Sequence, residues 1–156
     1  MIEDGIPVDG RYPNGPSPLQ IACYWGNVDV VDLLIVNGAD LGLLTPDGDT
    51  ILCMAAAFTH SGRGNLEIVN LLLKGGADVS QVVAGGYTIL HLVQSRTSIA
   101  QTTLALIAAG ADIDARSDDN NTPLHMAVLR GDLELVELFL QNNASIDAVN
   151  DKGLTA

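Results

Sequence analysis

The chain has 156 residues, 47% of them hydrophobic and only 4% aromatic, with a formal net charge of −12. That length suits about one domain. The acidic balance argues against nucleic acid, whose phosphates require a basic stripe, and against an anionic membrane surface. No apolar run reaches the roughly 18 residues of a membrane span, and the first nine residues, acidic and broken by Pro7, do not resemble a secretory signal.

Residues 1–16 carry Pro7, Pro13 and Pro16 and are expected to be extended, a partial N-terminal cap or partial repeat. Residues 17–49 predict two helices, at 18–25 and 28–36. Val28, Val31, Leu34 and Ile35 form the expected buried stripe of the second, and Asp29 and Asp32 face water. Residues 50–87 predict a second helix pair with an insertion near 59–63. Its sequence, THSGR, reads as a slack loop, or as an edge where His60 and Arg63 touch a partner. Residues 88–121 depart furthest from the pattern. Ser98 replaces a turn glycine, and Thr103 stands where Val31, Val69 and Val136 stand in the other units. A buried threonine there is expected to bond the carbonyl one turn earlier, and this unit is expected to be the weakest.

Residues 122–154 show the pattern most clearly. Thr122 and Pro123 suit the N-cap and first helical position. Leu124, Ala127 and Val128 recur at helical spacing, Gly131 breaks the run, and Leu133, Val136, Phe139 and Leu140 predict a second apolar stripe. Asn143 sits where a left-handed stop is expected. Met126 and Leu129 are expected to lack cover on the outward side. Residues 155–156 open a further unit, so the chain is expected to be a fragment of a longer protein.

The units repeat in register. Twelve residues separate Gly26 from Gly38, Gly64 from Gly76, Ser98 from Gly110 and Gly131 from Asn143. Twelve also separate Gly38 from Thr50, Gly76 from Thr88 and Gly110 from Thr122. The remaining spacing is nine residues in the first and last units, fourteen from Thr50 to Gly64 and ten from Thr88 to Ser98. The basic period is therefore 33 residues, with insertions of five and one. The helix starts read SPLQIA at 17–22, TILCMA at 50–55, TILHLV at 88–93 and TPLHMA at 122–127, and GAD recurs at 38–40, 76–78 and 110–112. In period and motif the chain resembles the ankyrin repeat family. The resemblance implies an all-α solenoid of stacked helix-turn-helix units with hairpin tips.

No chemistry of catalysis stands out. No phosphate-binding G-x-x-x-x-G-K-[ST], C-x-x-C or H-E-x-x-H occurs, so neither cofactor nor metal is implied. His91 and His125 belong to the helix-start motif, where an imidazole can bond neighbouring backbone or hydroxyl groups. Cys53 and His91 hold equivalent positions in adjacent units. Stacked helices lie about 8–10 Å apart, too far for direct proton transfer. Cys23 and Cys53 occupy apolar helix positions and read as buried, reduced thiols of an intracellular, cytoplasmic chain.

The ankyrin resemblance implies a protein partner, bound in a groove formed by hairpin tips and the ends of first helices. By register the candidate residues are Tyr12, Tyr24, Trp25, Asp47, Asp49, Phe58, Tyr87, Arg96, Asp118, Asp119 and Arg130. Of the six aromatic residues, only Phe139 falls on a core position. Tyr24 and Trp25 have an alternative role, covering the N-terminal end of the stack. The pattern suits a peptide with an apolar or proline-containing segment followed by Lys or Arg, bound by a chain that is monomeric in isolation. A second possibility is a structural or regulatory stack that packs in cis against an attached catalytic or membrane domain.

Overall fold

The computed structural model describes residues 8–10, 15–57, 65–93 and 99–156. Among these residues the chain forms eight helices in four successive pairs. They are α1 (Pro18–Trp25) with α2 (Val28–Val36), α3 (Ile51–Ala56) with α4 (Leu66–Lys74), α5 (Ile89–Leu92) with α6 (Ile99–Ala108), and α7 (Pro123–Leu129) with α8 (Leu133–Gln141). The all-α solenoid read from the sequence is thus the observed architecture. The helices at 18–25 and 28–36 fall where the caps and apolar spacing place them.

Side chains close the starts of the first helices. Ser17 Oγ accepts the Gln20 N–H at 3.3 Å, and Gln20 Oε1 accepts the Ser17 N–H at 2.7 Å. This reciprocal box satisfies two N–H groups that the helix leaves open. Thr50 Oγ1 accepts the Cys53 N–H at 3.2 Å, and Thr122 Oγ1 the His125 N–H at 3.4 Å.

The second helices end on one repeated device. The N–H groups of Ala39, Ala77, Ala111 and Ala144 donate to the carbonyls of Leu34, Leu72, Leu106 and Phe139 at 2.9 to 3.0 Å. Those of Gly38, Gly76, Gly110 and Asn143 donate to Ile35, Leu73, Ile107 and Leu140 at 2.9 to 3.1 Å. Both bonds of a Schellman stop are therefore present in each copy. The stop residue adopts a left-handed backbone, φ 82° at Gly38 and 65° at Asn143. Asparagine tolerates that conformation better than other side chains, which is why the fourth copy dispenses with glycine.

Two rows of helices result. The first helices α1, α3, α5 and α7 pack in succession, as do α2, α4, α6 and α8. Leu19, Cys23, Leu52, Leu90 and Leu124 fill the first row; Val31, Ile68, Leu72, Leu106 and Phe139 fill the second. Both cysteines are free and buried. Burial pushes the Cys23 thiol up to about 12 and raises that of Cys53, so both stay protonated and unreactive near neutral pH.

Three expectations need correction. Leu133 is 68% exposed, and Val128 and Leu140 are exposed as well, whereas Leu135 is 1% exposed. Position 135 corresponds to Ile68, which meets the preceding pair. Position 128 corresponds to the buried Cys23 and Ala56, which are covered by the following pair. The helical period marks an apolar face, and position in the stack decides which edge of it is covered. On the outward side Leu129 is 72% exposed, but Met126 is half-buried. Finally, Thr103 is fully buried, and its Oγ1 has no hydrogen-bond partner instead of the expected carbonyl.

Candidate functional site

Four five-residue turns, at 45–49, 83–87, 117–121 and 150–154, follow the helix pairs. In each, the first N–H donates to the fifth carbonyl, as in Thr45 to Asp49 at 2.9 Å and Val83 to Tyr87 at 2.9 Å. The later turns are laddered together. Asp118 N–H donates to Gly85 O at 2.9 Å, Asp151 N–H to Asp119 O at 3.1 Å, and Asn120 Nδ2 to Asp151 Oδ1 at 2.6 Å. No side chain fits at Gly86, where a Cβ would lie 2.6 Å from Asp118 Oδ1 at a φ of 69°.

The helix-start motif ties these turns to the helices. Thr88 N–H donates to His91 Nδ1 at 3.1 Å, and His91 Nε2 lies 2.9 Å from Asn121 O. Because Nδ1 accepts, Nε2 carries the proton and donates to the carbonyl. His125 repeats the arrangement, with Thr122 N–H at 3.2 Å and Leu154 O at 3.1 Å. Gln20 occupies the same register position and donates through Nε2 to Leu43 O at 2.9 Å. Thr88 Oγ1 and Thr122 Oγ1 lie 2.9 Å from Nδ1 of His91 and His125 as well, so each imidazole braces its helix start against the turn that follows.

A groove of about 330 Å³ opens between α1 and the turn at 45–49. From α1 it is lined by Ile21, Tyr24 and Trp25, and from the turn by Pro46, Asp47 and Asp49. Pro16 and Met54 add apolar surface. Ile21 shares a helix face with Tyr24 and Trp25, three and four residues on. The two rings meet edge to face, with centroids 5.5 Å apart at 86°. Trp25 is 55% exposed. Asp47 is exposed and Asp49 half-buried. Burial, reinforced by the charge of Asp47, raises the Asp49 carboxyl above its ordinary value.

The other candidates lie apart from this groove. Tyr87 is half-buried, with its ring 5.5 Å from the His91 imidazole. Asp118 and Asp119 are exposed on the laddered turn. Arg130 is already engaged: its Nη1 donates to Val93 O at 3.1 Å. Burial of its guanidinium lowers the Arg130 pKa. Tyr12, Phe58 and Arg96 lie outside the described residues, as does the insertion near 59–63. Sequence reasoning missed Ile21 and Met54, which hold the same register position in successive units. For Ile21 the signal was helical spacing from Tyr24 and Trp25, and for Met54 it was the matching register position in the next unit.

Comparison with known proteins matches the family model for ankyrin repeats (three copies) to residues 3–83 and 61–150. The chain belongs to the ankyrin repeat family. Ankyrin repeats are generally protein–protein interaction modules without catalysis of their own. Among similar proteins, the tyrosine-protein kinase HTK16 of Hydra vulgaris is 35% identical over 150 residues, covering 94% of this chain and 15% of the relative. Protein fem-1 homolog C of Homo sapiens is 40% identical over 50 residues, covering 32% of this chain and 8% of the relative. Protein fem-1 homolog A of Danio rerio is 41% identical over 59 residues, 38% of this chain and 9% of the relative. The ankyrin repeats of this chain thus span a small share of the length of each relative. Among the described residues no helix is long and apolar enough to cross a membrane.

Proposed function

We propose that the chain is a non-catalytic module that binds a partner polypeptide, with the groove between α1 and the turn at 45–49 as the principal contact. The observation that carries this reading is the convergence of Tyr24, Trp25, Asp47 and Asp49 on one opening. An aromatic side chain can remove about 150–250 Å² from water, and at about 25 cal/mol per Å² such residues make the usual anchors of an interface. The turn supplies Asp47 and Asp49 beside Pro46, which suits an extended peptide with an apolar or proline-containing stretch followed by a basic residue. Peptide display on the wild-type chain, repeated with Trp25→Ala, tests the reading. Peptides of that composition are expected to be enriched by the wild type and lost with the variant. Equal enrichment by both would reject the groove.

A second reading is favoured by the similarity of nearly the whole chain to part of a tyrosine-protein kinase. In it the stack packs in cis against an attached catalytic domain, through the apolar edge at Leu129 and Leu133. Leu133→Ser in the longer protein would then detach the neighbour and leave peptide binding by the groove unchanged.

A further inference from the structure

We propose that the groove between α1 and the turn at 45–49 receives the side chain of an arginine that precedes the last residue of the partner polypeptide. The inference rests on the groove being the binding site and adds the identity of the group that fills it.

Charge complementarity selects a cation. Among the described residues lining the groove there is no lysine, arginine or histidine, whereas two carboxylates, Asp47 and Asp49, stand at one side. Asp49 is half-buried and its carboxyl is raised by burial and by Asp47. Among the described residues none relieves this negative charge, which a bound cation would compensate. The same lack of basic residues argues against a chain-terminal carboxylate, so the recognised residue is not the partner's last one.

The shape of the walls selects arginine over lysine. Tyr24 and Trp25 present ring planes at 86°, which form a corner. A planar guanidinium can lie on one aromatic face and direct its N–H edge toward carboxylates, two contacts that a compact, strongly hydrated ammonium does not reproduce. Ile21 and Met54 offer apolar surface to the methylene stem of the same side chain. The neighbouring Pro46 provides a stiff, apolar border along which the partner backbone can run extended.

Trp25 is the single tryptophan of the chain and lines this groove, so its indole N–H gives one unambiguous resonance to follow. The experiment titrates the intact chain with N-acetyl-arginine amide, N-acetyl-lysine amide, N-acetyl-citrulline amide and an uncharged acetyl-Pro-Leu-Pro amide. Single residues bind weakly, so millimolar dissociation constants are expected. Arginine should bind at least tenfold more tightly than citrulline, which keeps the shape without the charge, and several-fold more tightly than lysine. The Asp47→Asn, Asp49→Asn double variant should abolish the difference between arginine and citrulline, with its fold checked by thermal melting. Arginine no tighter than citrulline, with the uncharged peptide still shifting Trp25, would overturn the arginine assignment and keep the peptide groove. No ligand shifting Trp25 would overturn both.

Discussion

His91 and Asn121 join two helix pairs: the imidazole Nε2 lies 2.9 Å from the carbonyl oxygen just before the N-cap Thr122. The ring is buried, and burial lowers its pKa below the ordinary value of 6.5, against the opposing pull of the Asn121 and Ala115 carbonyls. Arg130 lowers it further and Asp112 raises it. With the folded value below the unfolded one, the folded chain binds fewer protons. The contribution of His91 is therefore complete above the unfolded value, falls as pH drops through 6.5, and levels off below the folded value. Gln20, at the same register position, makes the same N-cap contact and a like bond to a carbonyl of the following segment, Leu43 O, without titrating. His91→Gln is thus expected to remove part of the acid sensitivity. Melting temperatures of wild type and variant, measured from pH 7.5 to 5, should converge or cross toward the acid end. Parallel curves would refute the assignment.

Thr103 offers a stabilising change. Its hydroxyl is fully buried and unpartnered, while Val31 and Val69 fill the equivalent sites with hydrocarbon. An unsatisfied buried polar group costs about 1–3 kcal/mol. Thr103→Val keeps the shape and should stabilise the chain by about 1 kcal/mol in urea denaturation. Amide exchange in α6 should slow as well. In a linear stack stability is roughly a sum over units and their interfaces, so the third pair should open before the second. A loss of stability in the variant would show that the hydroxyl has a partner, such as an ordered water.

Arg130 serves the fold at α5. That helix has four residues, and Arg130 Nη1 donates to the carbonyl of Val93 immediately after it. So short a helix satisfies few of its own carbonyls. Arg130→Met keeps most of the stem and deletes the donor. It should cost about 1 kcal/mol, below the usual range for a charged donor because the residue is exposed. Faster exchange at the His91 and Val93 amides would locate the loss at α5. Unchanged exchange there would return Arg130 to the set of residues available for a partner.

Much of this architecture was legible in the sequence because its signals are local. Ser17 with Pro18, and Gly38 or Asn143 at a left-handed stop, fix helix ends through hydrogen bonds only a few residues long. The edges were less legible. Leu133 and Leu135 both satisfy a helical period, and only the position of α8 at the end of its row leaves the first exposed and the second buried. Thr103 was placed correctly in the core, but rotamer and backbone access, which spacing does not encode, decide whether its hydroxyl finds a carbonyl. For the candidate site, register brought Tyr24 and Trp25 to the turn carrying Asp47 and Asp49. It passed over Ile21 and Met54, because an apolar residue facing a groove and one facing the core look alike in a single sequence.

Asp49 sets stability against binding. Its carboxyl is raised by burial and by Asp47, so the folded value lies above the unfolded one. For such a group the ionised form is the one the fold disfavours. Stability is gained as pH falls through the folded value, and the penalty is fully present at neutral pH. Asp49→Asn removes the charge, and the turn's own contacts with Asp49 run through its backbone carbonyl and N–H and through Thr45. The variant should therefore melt slightly higher than wild type at pH 7, and the gap should close below the ordinary carboxyl value of 3.8. If the groove takes an arginine, the same variant should gain less in melting temperature from added N-acetyl-arginine amide, since ligand stabilisation follows affinity. A variant that melts lower at pH 7 would mean that the carboxylate holds the turn together, and the trade-off would not exist.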